Sequence, residues 1–180
     1  MMKLAANSFK SLIIALVLYS GLSIAKENPR HIVSGLSLSS PAFSQGTAIP
    51  GVFTCDDRNI NPPLRIGNVP TRSKSLALIV DDPDAPRGDW VHWLVWNISP
   101  ATRILPQQAK LAGVLTGVNS FSHFYYDGPC PPQGRHRYFF RLYALDTRLT
   151  LPKTTSRQIL ENAMQGHILA TATLMGTYTH

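Results

Sequence analysis

Hydrophobic residues along the chain fall into short runs separated by the turn-forming residues Pro, Gly, Asn and Asp. Residues 76–80 form an apolar run that stops at Asp81-Asp82-Pro83. Residues 91–98 and 137–145 are rich in aromatic and β-branched side chains, and a last run covers about residues 170–178. Runs of this length and composition are typical of β-strands. The pattern therefore predicts a chain built mainly from short strands.

One later segment has the spacing of a helix. Its apolar residues recur at intervals of three and four, at Ile159, Leu160, Ala163, Met164, His167 and Ile168. Thr154, Thr155 and Ser156 are candidate N-caps, and Gly166 lies near the predicted end. Many strands with one late helix predict a mainly β fold, an antiparallel sandwich, rather than the alternation that builds parallel sheets.

The first 25 residues have the pattern of a secretory signal. Lys3 and Lys10 supply a positive start, an apolar run follows, and Ser23-Ile24-Ala25 offers small residues for cleavage. The apolar run is shorter than the ~20 residues that span a bilayer, although an uncleaved anchor is the alternative. We therefore predict a signal peptide over residues 1–25, one domain over residues 26–180, and an exported protein of the periplasm or the extracellular medium.

Charge and cysteine content narrow the function classes. Loss of Lys3 and Lys10 with the signal peptide lowers the formal net charge from +7 to +5, and the remaining basic residues are spread singly. This modest positive field favours anionic small molecules or lipid surfaces over nucleic acid. Two cysteines cannot form a four-thiolate zinc site. In an exported chain they can form one disulfide, with two free thiols as the alternative.

Strict alternation places a polar group near one end of an apolar face in each of three strands. The first face carries Asp82, the second His92, and the third His136 and Tyr138. The other members of the three faces are Leu76, Leu78 and Val80; Trp90, Leu94, Trp96 and Ile98; and Phe140, Leu142 and Ala144. Buried polar groups need partners, which these side chains find in one another or in a ligand. Histidines satisfied within an ordinary core are the structural alternative.

The loop Asp82-Pro83-Asp84-Ala85-Pro86 follows the first of these strands. Asp and Pro both favour turns, so the loop need only be a turn. The two prolines that flank Asp84 nevertheless stiffen the backbone, and a stiff loop suits a carboxylate at the rim of a pocket.

Several motifs occur in the order in which the phosphatidylethanolamine-binding protein family has them, and the chain resembles the bacterial, Raf-kinase-inhibitor-like branch of that family. The resemblance spans roughly residues 34–177. The motifs are Phe53-Thr54-Cys55-Asp56 with residues 59–64, Asp82-Pro83-Asp84-Ala85-Pro86, Trp90-Val91-His92-Trp93, Gly128-Pro129-Cys130-Pro131-Pro132, His136-Arg137-Tyr138 and Tyr143-Ala144-Leu145-Asp146. The sequence departs from the family's pattern at Asp57-Arg58, Asn61 and Asn119-Ser120-Phe121. These differences are expected to change the pocket rim and the ligand preference rather than the fold.

The resemblance implies a Greek-key β-sandwich with a small cavity for phosphate, acetate or a phospholipid headgroup. It also implies a disulfide between Cys55 and Cys130, because exported relatives carry cysteines at matching positions. Imidazoles, a hydroxyl and loop N–H groups can bind an anion without a metal or other cofactor. Carried over by motif, the ligand-binding residues are Asp82, Asp84, Pro86, Trp90, His92, Pro131, Pro132, His136 and Tyr138.

The function expected from these residues is that of an exported, non-enzymatic binding module without stable membrane insertion after cleavage. An inhibitor or regulator of a protein partner (a protease, a kinase or a host factor) is the first alternative. The second is a metal-dependent enzyme that uses Asp82, His92 and His136, which offer the ligand types of a two-histidine, one-carboxylate site. Hydrolase chemistry is disfavoured because the sequence has no Gly-x-Ser-x-Gly motif.

Overall fold

The architecture comes from a computed structural model that describes residues 35–108 and 113–180. The predicted signal peptide lies outside these residues. The elements in chain order are β1 (Ser37–Ser39), a 3-10 helix (Gly51–Phe53), β2 (Leu64–Gly67), β3 (Ser75–Asp82), β4 (Trp90–Ile98), β5 (Ile104–Leu105), β6 (Leu115–Thr116), β7 (Arg135–Leu145), α1 (Arg157–Met164) and β8 (Ile168–Thr179). Within the described ranges, no helix combines the length and the apolar content that crossing a membrane requires.

The strands form two antiparallel sheets. The smaller has the order β1-β2-β5 and the larger the order β6-β4-β3-β7-β8. In the larger sheet β3 pairs with its neighbour in sequence, β4, and with the distant β7. This order agrees with Greek-key connections, and it confirms the mainly β fold with one late helix.

β3 lies at the centre of the larger sheet and is buried on both faces. Leu76, Leu78 and Val80 pack into the core that both sheets share, whereas Ala77 and Ile79 pack into a second core with residues of α1. A strand covered on both faces has no polar side to present to water. The uninterrupted apolar run that predicts this strand is thus a consequence of its central position.

Two register shifts in β4 correct the predicted face of this strand. The pairing with β3 skips a residue at His92, and it shifts again near Asn97, which has a φ of 59°. Because a bulge inserts an extra residue, it reverses the alternation of the side chains beyond it. Leu94 and Trp96 therefore lie in the core beneath α1, not on the face that Trp90, His92 and Ile98 share with the sandwich interior.

The helix ends earlier than its apolar spacing predicts. Its last residue is Met164, and Gly166 has a φ of 78°, a left-handed conformation that favours glycine. His167 follows in a turn, where its Nδ1 lies 2.8 Å from Oδ1 of Asp146, and Ile168 begins β8. The prediction that His167 and Ile168 belong to the helix is therefore wrong.

Candidate functional site

A cavity of about 430 Å³ lies where the end of β3 meets the beginnings of β4 and β7. Six of the predicted ligand-binding residues line it, and its other lining residues come from loops. The lining consists of Asp82, Ala85, Pro86, Arg87, Trp90, His92, Phe121, Cys130, Pro132 and His136. A larger cleft of about 780 Å³ is lined by amide, hydroxyl, apolar and aromatic side chains, including Trp93 and Tyr126. Of these two cavities in the described part of the chain, the smaller one alone is lined by carboxylate, imidazole and guanidinium groups together.

Asp82 and His136 form a buried pair across the large sheet. The Nδ1 of His136 lies 2.8 Å from Oδ2 of Asp82, and both side chains are less than a tenth exposed. The other carboxylate oxygen of Asp82 accepts a hydrogen bond from the backbone N–H of Asp84. With Nδ1 engaged by the carboxylate, the Nε2 of His136 is the ring nitrogen that remains for a ligand.

His92 is held by the backbone instead. Its Nδ1 lies 2.6 Å from the carbonyl oxygen of Asp127, and the side chain is almost wholly buried. A carbonyl oxygen only accepts, so the neutral ring carries its hydrogen on Nδ1 and has an acceptor at Nε2. Burial lowers the pKa of His92, because the low-dielectric surroundings disfavour the imidazolium.

A buried asparagine organises the loop that carries Phe121. The amide nitrogen of Asn119 donates to Oδ2 of Asp127 at 2.6 Å and to two backbone carbonyls, while its Oδ1 accepts from the backbone N–H groups of Phe121 and His123. The Phe121 ring then meets those of Trp90 and His92 edge-on, with centroids 5.4 and 5.5 Å apart. Asn119 and Asp127 thus position one wall of the cavity.

Tyr138 is wholly buried and stands behind the lining rather than in it. Its ring packs edge-on against His92 at 5.2 Å, and its hydroxyl has no hydrogen-bond partner in the part of the chain that the structure describes. Burial and the nearby carboxylate of Asp82 raise the pKa of this phenol. The hydroxyl is therefore a neutral donor that stands close to the Asp82 carboxylate.

Two other predicted residues lie outside the lining. Asp84 is turned towards Arg137, which binds it through Nε at 2.9 Å, Nη2 at 2.7 Å and the backbone N–H. The Arg137 guanidinium lowers the pKa of Asp84 to about 2. Pro131 is buried next to the disulfide, whereas Pro132 lines the cavity. Asp84 and Pro131 therefore support the walls of the cavity without facing it.

The disulfide between Cys55 and Cys130 is present, with an S–S distance of 2.09 Å. The backbone N–H of Cys55 also donates to the carbonyl of Pro129. These bonds join the cavity wall around Cys130 to the turn that follows the 3-10 helix. The approach is close, because a Cβ on Gly128 would lie 2.2 Å from the carbonyl oxygen of Phe53. Only glycine fits at this point of the wall.

Four lining residues are not among those predicted to bind a ligand. Arg87 follows Pro86 directly, and Ala85 precedes it, so both belong to the proline-flanked loop. Both could have been expected to line the cavity, because they adjoin the predicted residue Pro86 in a turn that proline makes rigid. Phe121 lies 29 positions after His92, the nearest predicted residue that precedes it, and only the resemblance could have indicated it. Cys130 was predicted solely as half of the bridge.

Comparisons with known proteins assign the family. Residues 39–179 match the family profile described as "Phosphatidylethanolamine-binding protein". A UPF0098 protein of Methanothermobacter thermautotrophicus is 47% identical over 148 residues, which cover 79% of this chain and 98% of the relative. A UPF0098 protein of Chlamydia muridarum is 45% identical over the same shares of the two chains. The chain therefore belongs to the phosphatidylethanolamine-binding protein family.

Two solved structures show the same architecture. One is a phosphatidylethanolamine-binding protein homologue of Chlamydia trachomatis, with 43% identity, a TM-score of 0.79, and coverage of 81% of this chain and 98% of the other. The second is Escherichia coli YbcL, described as a member of the mammalian family, with 28% identity, a TM-score of 0.77, and coverage of 82% and 99%. Both similarities extend over nearly the whole length of the solved chains.

Proposed function

We propose that this protein is an exported, non-enzymatic binding module whose cavity holds an anionic group, either a small molecule or the phosphate of a phospholipid headgroup. The observation that carries the proposal is the arrangement of the two imidazoles. Acceptors hold the Nδ1 atoms of His92 and His136, so that the Nε2 atoms remain as the polar groups for a ligand. Arg87 adds a cation to the same lining.

The negative charge of Asp82 in the lining is compatible with the binding of an anion. Both oxygens of Asp82 already accept hydrogen bonds, from His136 and from the Asp84 backbone. When His136 is protonated, the pair is neutral overall and still presents an N–H donor at Nε2. A phosphate oxygen would accept from this donor in a short, charge-assisted hydrogen bond.

The chemistry of the lining favours binding over catalysis. It contains neither a serine, threonine or tyrosine hydroxyl nor a free thiol, because Cys130 is bonded to Cys55. Covalent catalysis of the serine or cysteine type needs a hydroxyl or thiol beside a base, and among these side chains only the bases are present. Export is supported by the disulfide, which persists in oxidising compartments, together with the signal-like pattern of residues 1–25.

The test is titration of the purified protein with phosphate and phosphoethanolamine, followed through the imidazole NMR signals. We expect the signals of His92 and His136 to shift in a saturable way. His167 is a matched control, because its Nδ1 makes the same contact with a carboxylate, that of Asp146, on an exposed surface. Equal shifts of all three histidines, or no shift at His92 and His136, would refute the proposal.

One observation favours a regulator of a protein partner as a second candidate. Phe121, Phe124 and Tyr125 are large exposed hydrophobic residues within a stretch of five, and Phe121 also lines the cavity. Exposed aromatic residues are enriched where proteins bind each other. The double variant Phe124→Ser/Tyr125→Ser would abolish a stoichiometric complex with such a partner while leaving phosphate binding unchanged. Loss of both activities would argue that the loop only supports the cavity.

A further inference from the structure

The larger cleft, of about 780 Å³, shares no lining residue with the anion cavity. Its walls come from β4, from β6, from residues 59–61 after the 3-10 helix, and from the loop residues 124–126. Its volume falls within the range of about 300–1,000 Å³ that small-molecule sites occupy. The cleft is therefore large enough to hold a ligand of its own.

The polar groups of this cleft are neutral. Among the described residues that line it, none carries a formal charge, although the whole chain has a net charge of +7. The carboxamides of Asn59, Asn61 and Gln108 and the hydroxyl of Thr116 supply the polarity instead. Phosphate groups and nucleic acids require cations, which this lining lacks. The chemistry of the cleft therefore favours a neutral, polar ligand.

Four aromatic rings lie in the same cleft. Those of Trp93 and Tyr126 are buried and meet edge-on with centroids 5.8 Å apart, and the Tyr126 hydroxyl donates to the carbonyl of Phe53. Phe124 and Tyr125 are 45% and 57% exposed. A fixed inner pair and two accessible rings thus place apolar surface beside the carboxamides.

The exposed ring of Tyr125 is held in place. It stacks on the imidazole of His123, with centroids 4.6 Å apart and an interplanar angle of 19°. The Nδ1 of His123 lies 2.9 Å from Oδ2 of Asp127, and the amide nitrogen of Asn119 donates to the backbone carbonyl of Tyr125. A ring that is fixed before binding loses little conformational entropy when a ligand packs on it.

The carboxamide of Asn59 is fixed as well. Its Oδ1 accepts a hydrogen bond from the backbone N–H of Gly128 at 2.6 Å, and within the described chain its Nδ2 makes no hydrogen bond. Asn61 frames the same wall, because its Nδ2 donates to the carbonyls of Pro62 and Pro106. Asn59 therefore presents an oriented N–H donor in the cleft beside the aromatic rings.

We propose that this cleft binds a neutral oligosaccharide. The C–H groups on the face of a sugar ring carry small positive charges, and they pack favourably on the negative face of an aromatic ring. Sugar hydroxyls both donate and accept hydrogen bonds, as carboxamides and the Thr116 hydroxyl do. An extended peptide fits less well, because β6, the edge strand beside the cleft, has only two residues for main-chain pairing.

The test is titration of the protein with maltotriose, cellotriose and tri-N-acetylchitotriose, followed by NMR. We expect at least one of these neutral sugars, at millimolar concentration, to shift the Trp93 indole and Asn59 amide signals in a saturable way. The imidazole signals of His92 and His136 should not move, whereas phosphate should move them independently of the sugar. If no sugar shifts the cleft signals, or if a sugar shifts the imidazoles equally, the proposal is overturned.

Variants and a peptide probe identify the occupant. Tyr125→Ala should weaken sugar binding by at least about fivefold, the lower end of what one aromatic stacking contact contributes. Phe121→Ala is the matched control, because it removes an exposed ring of the same loop that lines the anion cavity instead. Equal losses in the two variants would overturn the proposal. The same holds if decaproline shifts the Trp93 and Asn59 signals and no sugar does, since the cleft would then be a peptide site.

Discussion

The imidazole of His92 combines deep burial with a fixed tautomer. Its Nδ1 is engaged by the carbonyl of Asp127, so Nε2 can donate to an anion only when the ring is protonated. Burial lowers the pKa of this histidine, which keeps the empty site neutral at His92. Binding of an anion is therefore expected to draw a proton into the cavity.

The first prediction concerns anion affinity and pH. Where His92 is neutral in the free protein, each bound anion takes up a proton, and the affinity rises by up to about tenfold per unit decrease in pH. Calorimetry in buffers of different ionisation enthalpy would measure this proton uptake. We expect His92→Gln to remove it, because glutamine offers no titrating nitrogen. An affinity that is independent of pH would contradict the role of His92.

The same shift predicts how stability changes with pH in the absence of an anion. A histidine whose pKa is lowered on folding binds fewer protons in the folded than in the unfolded state, so stability falls as pH decreases through its unfolded pKa of about 6.5. Urea unfolding at pH 7.5 and 5.5 should show that the wild type loses more stability than His92→Gln. Asp84 does not interfere, because its pKa of about 2 affects stability only below about pH 4.

Tyr138 provides a third prediction. Its buried hydroxyl lacks a partner in the described chain, and such a group costs about 1–3 kcal/mol. Tyr138→Phe should therefore fold normally, with a free energy of unfolding no lower than that of the wild type. If a bound anion supplies the missing acceptor, phosphate affinity falls severalfold in the same variant. Unchanged affinity would show that the hydroxyl takes no part in binding.

At the scale of elements, the loop that carries Phe121 depends on one side chain. Asn119→Ala removes hydrogen bonds to Asp127 and to four backbone groups, and it leaves buried polar atoms unsatisfied. We expect a loss of at least about 2 kcal/mol and weaker anion binding. Asn162→Ala is a matched control on the exposed face of α1 and should change stability by less than about 0.5 kcal/mol. Similar losses in both variants would contradict this role.

The strands at the centre of the sheet could be predicted from the sequence, because buried strands consist mainly of apolar, β-branched and aromatic residues. The predicted bounds of β3, β4 and β7 lie within two residues of the observed ones. The short strands β1, β2, β5 and β6 have two to four residues and leave no run to detect. The bulges at His92 and Asn97 could not be predicted either, since the alternation argument assumes an uninterrupted register between the strands.

Residues of the candidate site that lie on regular strands could be predicted to meet from strand alternation. Contacts that side chains make outside this regular pattern could not be predicted from the sequence. Asp82 and His136 meet because β3 and β7 are adjacent and alternate without interruption at this end. Asp84 was expected at the rim as a ligand, but the sequence does not show that Arg137 engages it. Asp81, which sequence reasoning passed over, is wholly buried and binds Arg141 on the opposite face of the sheet.

For the whole molecule, the disulfide is the strongest single constraint on the unfolded chain. Cys55 and Cys130 are 75 positions apart, and closing a loop of that size contributes about 4 kcal/mol. The double variant Cys55→Ser/Cys130→Ser should lose approximately this stability in urea unfolding with a chelator present. A variant as stable as the oxidised wild type would mean that strain or residual structure offsets the constraint.

The proposed export can be tested on the whole molecule as well. Cleavage after Ala25 would give a chain that begins at Lys26. Mass spectrometry of the protein recovered from the envelope or the medium should show this N-terminus together with the bridged cysteines. An intact N-terminus and free thiols would contradict export by a cleaved signal.

The most direct test of the proposed binding function is a crystal structure of the protein grown with phosphoethanolamine. We expect the phosphate within about 2.7–3.2 Å of the Nε2 atoms of His92 and His136, in the cavity beside Trp90 and Pro132. A cavity that holds only water at saturating phosphoethanolamine, or a phosphate bound elsewhere on the surface, would contradict it.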